Sequence, residues 1–199
     1  MGAYRSRAAA EASLRLTQTG SRRSDLYGRR TGRPISRHQE TLIGSLLPRI
    51  SVPAGTIDLP SLFPSARGFA LEVGFGGAEH LIAQAQAHPE IGFIGCEPFL
   101  NGIAKLLSQV DVLGLQNIRV HTDDARDVLA RLPDRSLSFV YVLFPDPWPK
   151  LRHHKRRFVQ QQTLDVLSRV LEPGAELRLA TDHMDYASWA LEQLQCAMP

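Results

Sequence analysis

Gly68-Phe69-Ala70-Leu71-Glu72-Val73-Gly74-Phe75-Gly76-Gly77 sets the architecture of everything around it. An apolar run broken only by Glu72 leads straight into a glycine turn. The run reads as a strand buried on both faces. The glycines let the backbone approach a ligand closely. Leu81, Ile82 and Ala85 then recur at helical spacing, and the pattern stops before Pro89. A strand, a glycine turn and a helix in that order begin a parallel α/β unit, with the helix N-terminus facing a crevice.

The same alternation continues downstream. Gly92 to Cys96 forms a second apolar run and ends at Glu97-Pro98. Ile103, Leu106, Leu107 and Val110 mark a helix. Ile118 to His121 is a third strand, and a shorter helix from about Arg126 to Leu132 ends at Pro133. Leu137 to Phe144 is a fourth strand, closed by Pro145-Asp146-Pro147-Trp148-Pro149-Lys150. A longer helix carries Val159, Thr163, Val166 and Val170 along one side. Pro173-Gly174 reads as a turn, Ala175 to Ala180 as a fifth strand ending at Thr181-Asp182. A last helix places Tyr186, Trp189, Ala190 and Leu194 on one face. Upstream, a short helix is expected from Arg37 to Leu47, ahead of Pro48. Apolar strands flanked by helices predict a Rossmann-like, doubly wound, mostly parallel α/β sheet. Such sheets usually continue past a fifth strand, so the chain reads as truncated at its C-terminus.

The length of 199 residues suits one domain with a sizeable core. Cys96 and Cys196 lie far apart and form neither a disulfide framework nor a zinc signature, which points to a reducing, cytoplasmic setting. Neither a signal peptide nor an apolar run of the roughly 18 residues a membrane span needs is apparent. The six histidines from His80 to His183 have no metal-ligand spacing, so no metal is expected. The net charge is only +3, but it is unevenly spread. Nine arginines between Met1 and His38 face only Glu11 and Asp25, and a second basic cluster runs from Arg152 to Arg157. Arginine pairs with phosphate through a planar fork, so both segments suggest a polyanionic partner such as RNA. Residues 1–34 read as a basic, flexible tail and residues 35–199 as the folded domain.

Five carboxylates, Glu72, Glu97, Asp124, Asp146 and Asp182, fall at or near the ends of the five expected strands. Unpaired carboxylates are expensive to bury, so five in register suggest a polar rim where ligands bind. Glu79 stands where a dinucleotide fingerprint requires glycine, and it would repel a pyrophosphate. A zwitterionic amino-acid moiety would suffer less. Glu97 follows the last glycine by 20 residues and can accept from both ribose hydroxyls, which is compatible with NAD or with S-adenosylmethionine. Asp124 could take the exocyclic amine of adenine. Glu72-x-Gly74-x-Gly76 followed by Glu97 is the order expected of an S-adenosylmethionine site on a class I methyltransferase-type domain. In the loop after the fourth strand, three prolines would hold Asp146 and Trp148 rigidly. There the ring could stack on a base and the carboxylate accept from base N–H groups. The cluster 152–157 is expected to open a helix. Positive charge there opposes the macrodipole and is better explained by an anionic partner.

These motifs, with Tyr27-Gly28-Arg29-Arg30, Gly32-Arg33-Pro34, Lys155-Arg156-Arg157 and Ala180-Thr181-Asp182, make the chain resemble the bacterial tRNA (guanine-N7)-methyltransferases from about residue 26 to 195. The resemblance implies methyl transfer from S-adenosylmethionine to N7 of a guanosine in the variable loop of tRNA. By it, Glu72, Gly74, Glu97, Asp124 and Asp146 would bind the cofactor, and Asp146 would also be catalytic. Lys150 and Asp182 would contact the substrate, while Arg152, Lys155, Arg156 and Arg157 would touch RNA. Family members carry a further Thr-x-x-Glu-type motif that this chain lacks. Rival expectations are a small-molecule methyltransferase, which would not need the basic segments, and a non-catalytic or truncated RNA-binding protein. An NAD-dependent oxidoreductase is disfavoured by Glu79. The oligomeric state is left open.

Overall fold

The computed structural model describes residues 30–197. The basic segment before Arg30, with Tyr27-Gly28-Arg29, lies outside the described residues. Strands β1 (Gly68–Val73), β2 (Ile91–Cys96), β3 (Ile118–His121), β4 (Leu137–Leu143) and β5 (Leu171–Ala180) form one sheet in the order β3-β2-β1-β4-β5. Every pairing is parallel, so every connection must cross a face of the sheet. The order reverses between β1 and β4, which places a crevice beyond their carboxyl ends.

Strand periodicity divides the core. Ala70 joins an apolar cluster with α1 (Arg37–Ser45), α2 (Leu47–Ile50), α4 (Glu79–Ala87) and α5 (Leu100–Leu113). Its neighbour Leu71 joins a second cluster with α3 (Leu59–Leu62), α6 (Ala125–Arg131), α7 (Gln161–Val170) and α8 (Met184–Ala197). Two helical layers thus cover the two faces, as the apolar strand runs predict. Among the described residues, no helix is long and apolar enough to cross a membrane.

Four local features differ from expectation. Pro48 does not follow a single helix: α1 ends at Ser45 and Pro48 lies in the first turn of α2, where a missing N–H costs nothing. Helix α3 was not anticipated, although Asp58 caps it and Pro60 opens it. Pro173-Gly174 is a bulge inside β5 and not a turn before it. Leu171 pairs with Leu137 and Glu176 already with Phe139, while Gly174 takes φ 85°. Proline is tolerated there because β5 is an edge strand. The cluster 152–157 does not open an α-helix either. Leu151–Arg156 forms a separate 3-10 helix whose last turn is basic, so the charges complement its exposed carbonyls, and α7 starts only at Gln161.

Leu100 N donates to Arg30 O at 2.9 Å, Gly32 N to Asn101 Oδ1 at 2.8 Å, and Asn101 Nδ2 to Arg33 O at 2.8 Å. Residues 30–33 are therefore fastened to the start of α5.

Helix α5 in turn presses on the glycine turn. A methyl group on Gly102 would fall against the carbonyl oxygen of Gly76, well inside van der Waals contact, and 3.3 Å from Glu97 Cγ. Alanine favours a helix interior by about 1 kcal/mol, but overpacking against backbone costs about 1–3 kcal/mol. Gly102→Ala is expected to lower the urea midpoint. A midpoint equal to or above wild type would contradict this close approach.

Candidate active site

The site begins where β1 ends. Gly74 N donates to Cys96 O at 2.8 Å, which folds the turn over the end of β2. Gly74 and Gly76 take positive φ of 68° and 53°, and Ala78 does so at 70° just before α4. The turn thus uses alanine where a left-handed residue costs about 1 kcal/mol more than glycine. Gly76 N donates to Glu97 Oε2 at 2.7 Å, and Phe99 N donates to Glu97 Oε1 at 2.9 Å. Glu97 therefore ties the β1 turn to the start of α5. Burial pushes its carboxyl above the ordinary glutamate range, against those two backbone hydrogen bonds, and the nearby charge of Asp146 adds to the rise. Each oxygen keeps a lone pair for a ligand hydroxyl.

Asp124 caps α6. Its Oδ1 accepts from Arg126 N at 2.9 Å and its Oδ2 from Arg126 Nη1 at 3.0 Å. Beyond it opens a cleft of about 640 Å³, within the usual range for small-molecule sites. Gly74, Glu97, Asp123, Asp124 and Asp127 line it on the β1–β3 side; Phe144, Asp146, Trp148, Lys155 and Arg156 line it on the β4 side. Three of the five strand-end acids thus meet in one cleft. Glu72 and Asp182 are outside its lining. Glu72 is buried, and its Oε2 pairs with His80 Nδ1 at 2.7 Å near the start of α4. Burial raises its pKa and His80 opposes the rise. Asp182 and Lys150 are exposed. Asp123, Asp127 and Phe144 were missed as cleft residues. The doubled acid after β3 and the acid one turn beyond Asp124 were the available signals. Burial pushes the Cys96 thiol up, so it is no nucleophile at neutral pH. Among the described residues, no group of three His, Cys, Asp or Glu side chains is arranged to hold a metal ion.

The loop after β4 is strained. Phe144 and Trp148 take φ of 50° and 43°, conformations that cost on the order of 1–3 kcal/mol each for such residues. Two bonds hold it: Phe144 N donates to Ala180 O at 2.7 Å, and Arg157 Nε donates to Pro147 O at 2.9 Å. Arg157 was expected to touch RNA, and here its geometry corrects that expectation. Its side chain has no exposed surface, and its Nη2 donates to Asp185 Oδ2. Its guanidinium lies 5.5 Å from the Tyr186 ring centre and 5.2 Å from that of Trp189. The hydrogen bond from Arg157, with its charge, holds the Asp185 carboxyl below the usual carboxylate range. Arg157 is a bolt between the proline loop and α8. Arg152 and Lys155 are exposed, and Arg156 lies over the ring of Trp148 at 5.0 Å.

Compared with known proteins, residues 66–198 match the family described as "Putative methyltransferase". Similar folds occur in a precorrin-6y C5,15-methyltransferase from Geobacter metallireducens (TM-score 0.53, 17% identity, 69% of this chain and 66% of that one). Another is a 16S rRNA adenine-N1 methyltransferase variant from Catenulisporales acidiphilia (TM-score 0.50, 21% identity, 74% and 86%). Fold, family match and acidic cleft together define the class: a Rossmann-like methyltransferase that uses S-adenosylmethionine. A tRNA (guanine-N(7)-)-methyltransferase from Hyphomonas neptunium is 53% identical over 83% of this chain and 76% of its own length. One from Paramagnetospirillum magneticum is 51% identical over 86% and 75%. The chain belongs to the tRNA (guanine-N(7)-)-methyltransferase family.

Removing the bolt should cost stability, because it leaves a cavity and orphans the Pro147 carbonyl. Arg157→Ala is expected to destabilise the fold by about 3 kcal/mol, whereas exposed Arg152→Ala leaves the unfolding midpoint in place. Equal midpoints for the two variants would show that Arg157 is not structural.

Proposed function

We infer that this chain transfers the methyl group of S-adenosylmethionine to N7 of a guanine in tRNA, the target being a guanosine of the variable loop. One observation carries this reading. Glu97 and Asp124, suited to ribose and adenine, share a single cleft with the proline-braced Asp146, in a chain about half identical to tRNA (guanine-N(7)-)-methyltransferases.

The residues present fit the cofactor. Glu97 retains lone pairs for ribose hydroxyls, Asp124 borders the cleft where an adenine amine would need an acceptor, and Gly74 leaves the turn open to close approach. Glu72 acts from behind the cleft by holding His80 at the start of α4. S-adenosylmethionine supplies a methyl group on a positively charged sulfonium sulfur. Guanine N7 carries a lone pair and no proton. When bound, the cofactor would give that methyl to the N7 lone pair and be left as a neutral thioether. No proton needs to move, so the protein mainly positions the reactants. Positive charge passes to the purine ring, and the Asp146 carboxylate stabilises it while accepting from the base edge. Asp146 needs a rigid loop for that role, which the three prolines and the Arg157 bolt provide. Lys150, exposed just before the 3-10 helix, and Asp182, exposed just past β5, contact the RNA substrate. Arg152, Lys155 and Arg156 take its phosphates.

The test is methyl transfer from labelled S-adenosylmethionine to unmodified tRNA bearing a variable-loop guanosine. Label is expected as N7-methylguanosine, and Asp146→Ala is expected to lower turnover at saturating substrates at least tenfold. Label on another atom, or none at all, overturns the reaction; near-normal turnover by Asp146→Ala overturns its role.

Charge makes a separate prediction. If Arg152, Lys155 and Arg156 neutralise three phosphates, tRNA affinity should fall by roughly 20–40-fold between 50 and 200 mM salt. A titration with equal affinity at both salts would remove the phosphate contacts from the reading.

A further inference from the structure

Two aromatic side chains of the β4 loop border the cleft, and their situations are opposite. Trp148 is half-buried, with the Arg156 guanidinium 5.0 Å from its ring centre and the His153 ring packed edge-on at 5.9 Å. Phe144 is 66% exposed, and it is the sole aromatic among the exposed large apolar residues of the described chain. The sequence pattern puts Phe144 at the end of a buried strand, where its ring would be core. Instead its backbone turns left-handed, at φ 50°, one residue after β4 ends. Pro145 disfavours the right-handed helical region for the residue before it, and the bond from Phe144 N to Ala180 O anchors the turn to β5. A bulky residue at positive φ is uncommon, and strain of this kind clusters at ligand sites. Here the strained residue holds an apolar ring against the cleft and in water. The backbone bond to Ala180 holds the turn but leaves the ring in water; a flat ligand laid on the ring would bury it.

Topology says which flat ligand. Glu97 and Asp124 follow β2 and β3, on one side of the switch point, and they are the groups suited to the cofactor's nucleoside. Phe144 follows β4, on the other side, two residues before Asp146. We propose that Phe144 is the stacking surface for the purine that is methylated, the ring carrying the guanine face while Asp146 meets the guanine edge. The proposal rests on the methyltransferase reading above and names the residue that seats its base. Trp148, the aromatic first suggested by the loop sequence, serves instead as the platform that holds Arg156. An aromatic ring accepts any base face, so guanine selectivity comes from Asp146 and the cleft and not from Phe144.

The experiment compares wild type, Phe144→Leu and Phe144→Trp in the full chain. It measures kcat/KM for tRNA, the cofactor dissociation constant by calorimetric titration, and the thermal midpoint. Leucine keeps bulk and removes the π face. Phe144→Leu is expected to lower kcat/KM for tRNA by roughly tenfold to a hundredfold. Its cofactor affinity should stay within about twofold and its midpoint unchanged; Phe144→Trp should recover most of the loss. Wild-type kcat/KM in Phe144→Leu would overturn the proposal while leaving the methyltransferase reading intact. An equal loss of cofactor affinity would assign the ring to adenine, and a matching drop in midpoint would make it structural; each overturns the proposal. A wild-type chain that transfers no methyl overturns the underlying reading and this proposal with it.

Discussion

The parallel ladder is the constraint on which this molecule is built. Parallel neighbours cannot be joined by a hairpin, so each connection must cross a face before the next strand begins. All five carboxyl ends then share one edge, and the loops that leave that edge become neighbours in space. Glu97, Asp124 and Asp146 come from loops far apart in sequence, yet they border a single cleft for this reason alone.

Within that frame, two charged groups do different structural work. Glu97 accepts from Gly76 and Phe99, so the residue proposed to meet a ribose also holds the glycine turn in shape. Removing it would disturb both functions together. Arg157 works on the opposite side of the cleft. Its planar guanidinium satisfies Pro147 and Asp185 and packs against two rings, a combination that a lysine could not reproduce. Pro147 follows Asp146 directly, so the bolt is fastened to the residue next to that carboxylate.

The cleft carries both signs of charge. Glu97, Asp123, Asp124 and Asp127 line the side opposite Asp146, Lys155 and Arg156, and Arg126 is bound to Asp124. A cationic cofactor and a polyanionic RNA need opposite fields. In the proposed reaction, acids at the β2 and β3 ends would face the cofactor and bases in the 3-10 helix after β4 would face the RNA.

Much of this could be read from residues 68–182 directly. Strand runs, helical spacing and glycine position are local patterns, and local patterns survive in a linear chain; β1, β2, α4, α6 and the class of cofactor followed from them. The carboxylates at strand ends were legible too, because parallel topology makes their convergence a necessity. Side-chain environment was not legible. In the sequence Lys155, Arg156 and Arg157 form one basic run, yet Arg157 is sealed under α8 while Lys155 is exposed. Trp148 and Phe144 read as stacking ring and strand end, and the reverse exposure emerged because two left-handed residues redirect the loop. Glu72 fell into the strand-end set, but a partner eight residues on, His80, claimed its carboxylate. Spacing along the chain specifies backbone periodicity, which depends on near neighbours. Which face of a residue meets water depends on elements that arrive from elsewhere in the chain, and only the folded packing of β5, α7 and α8 against the loops could settle it.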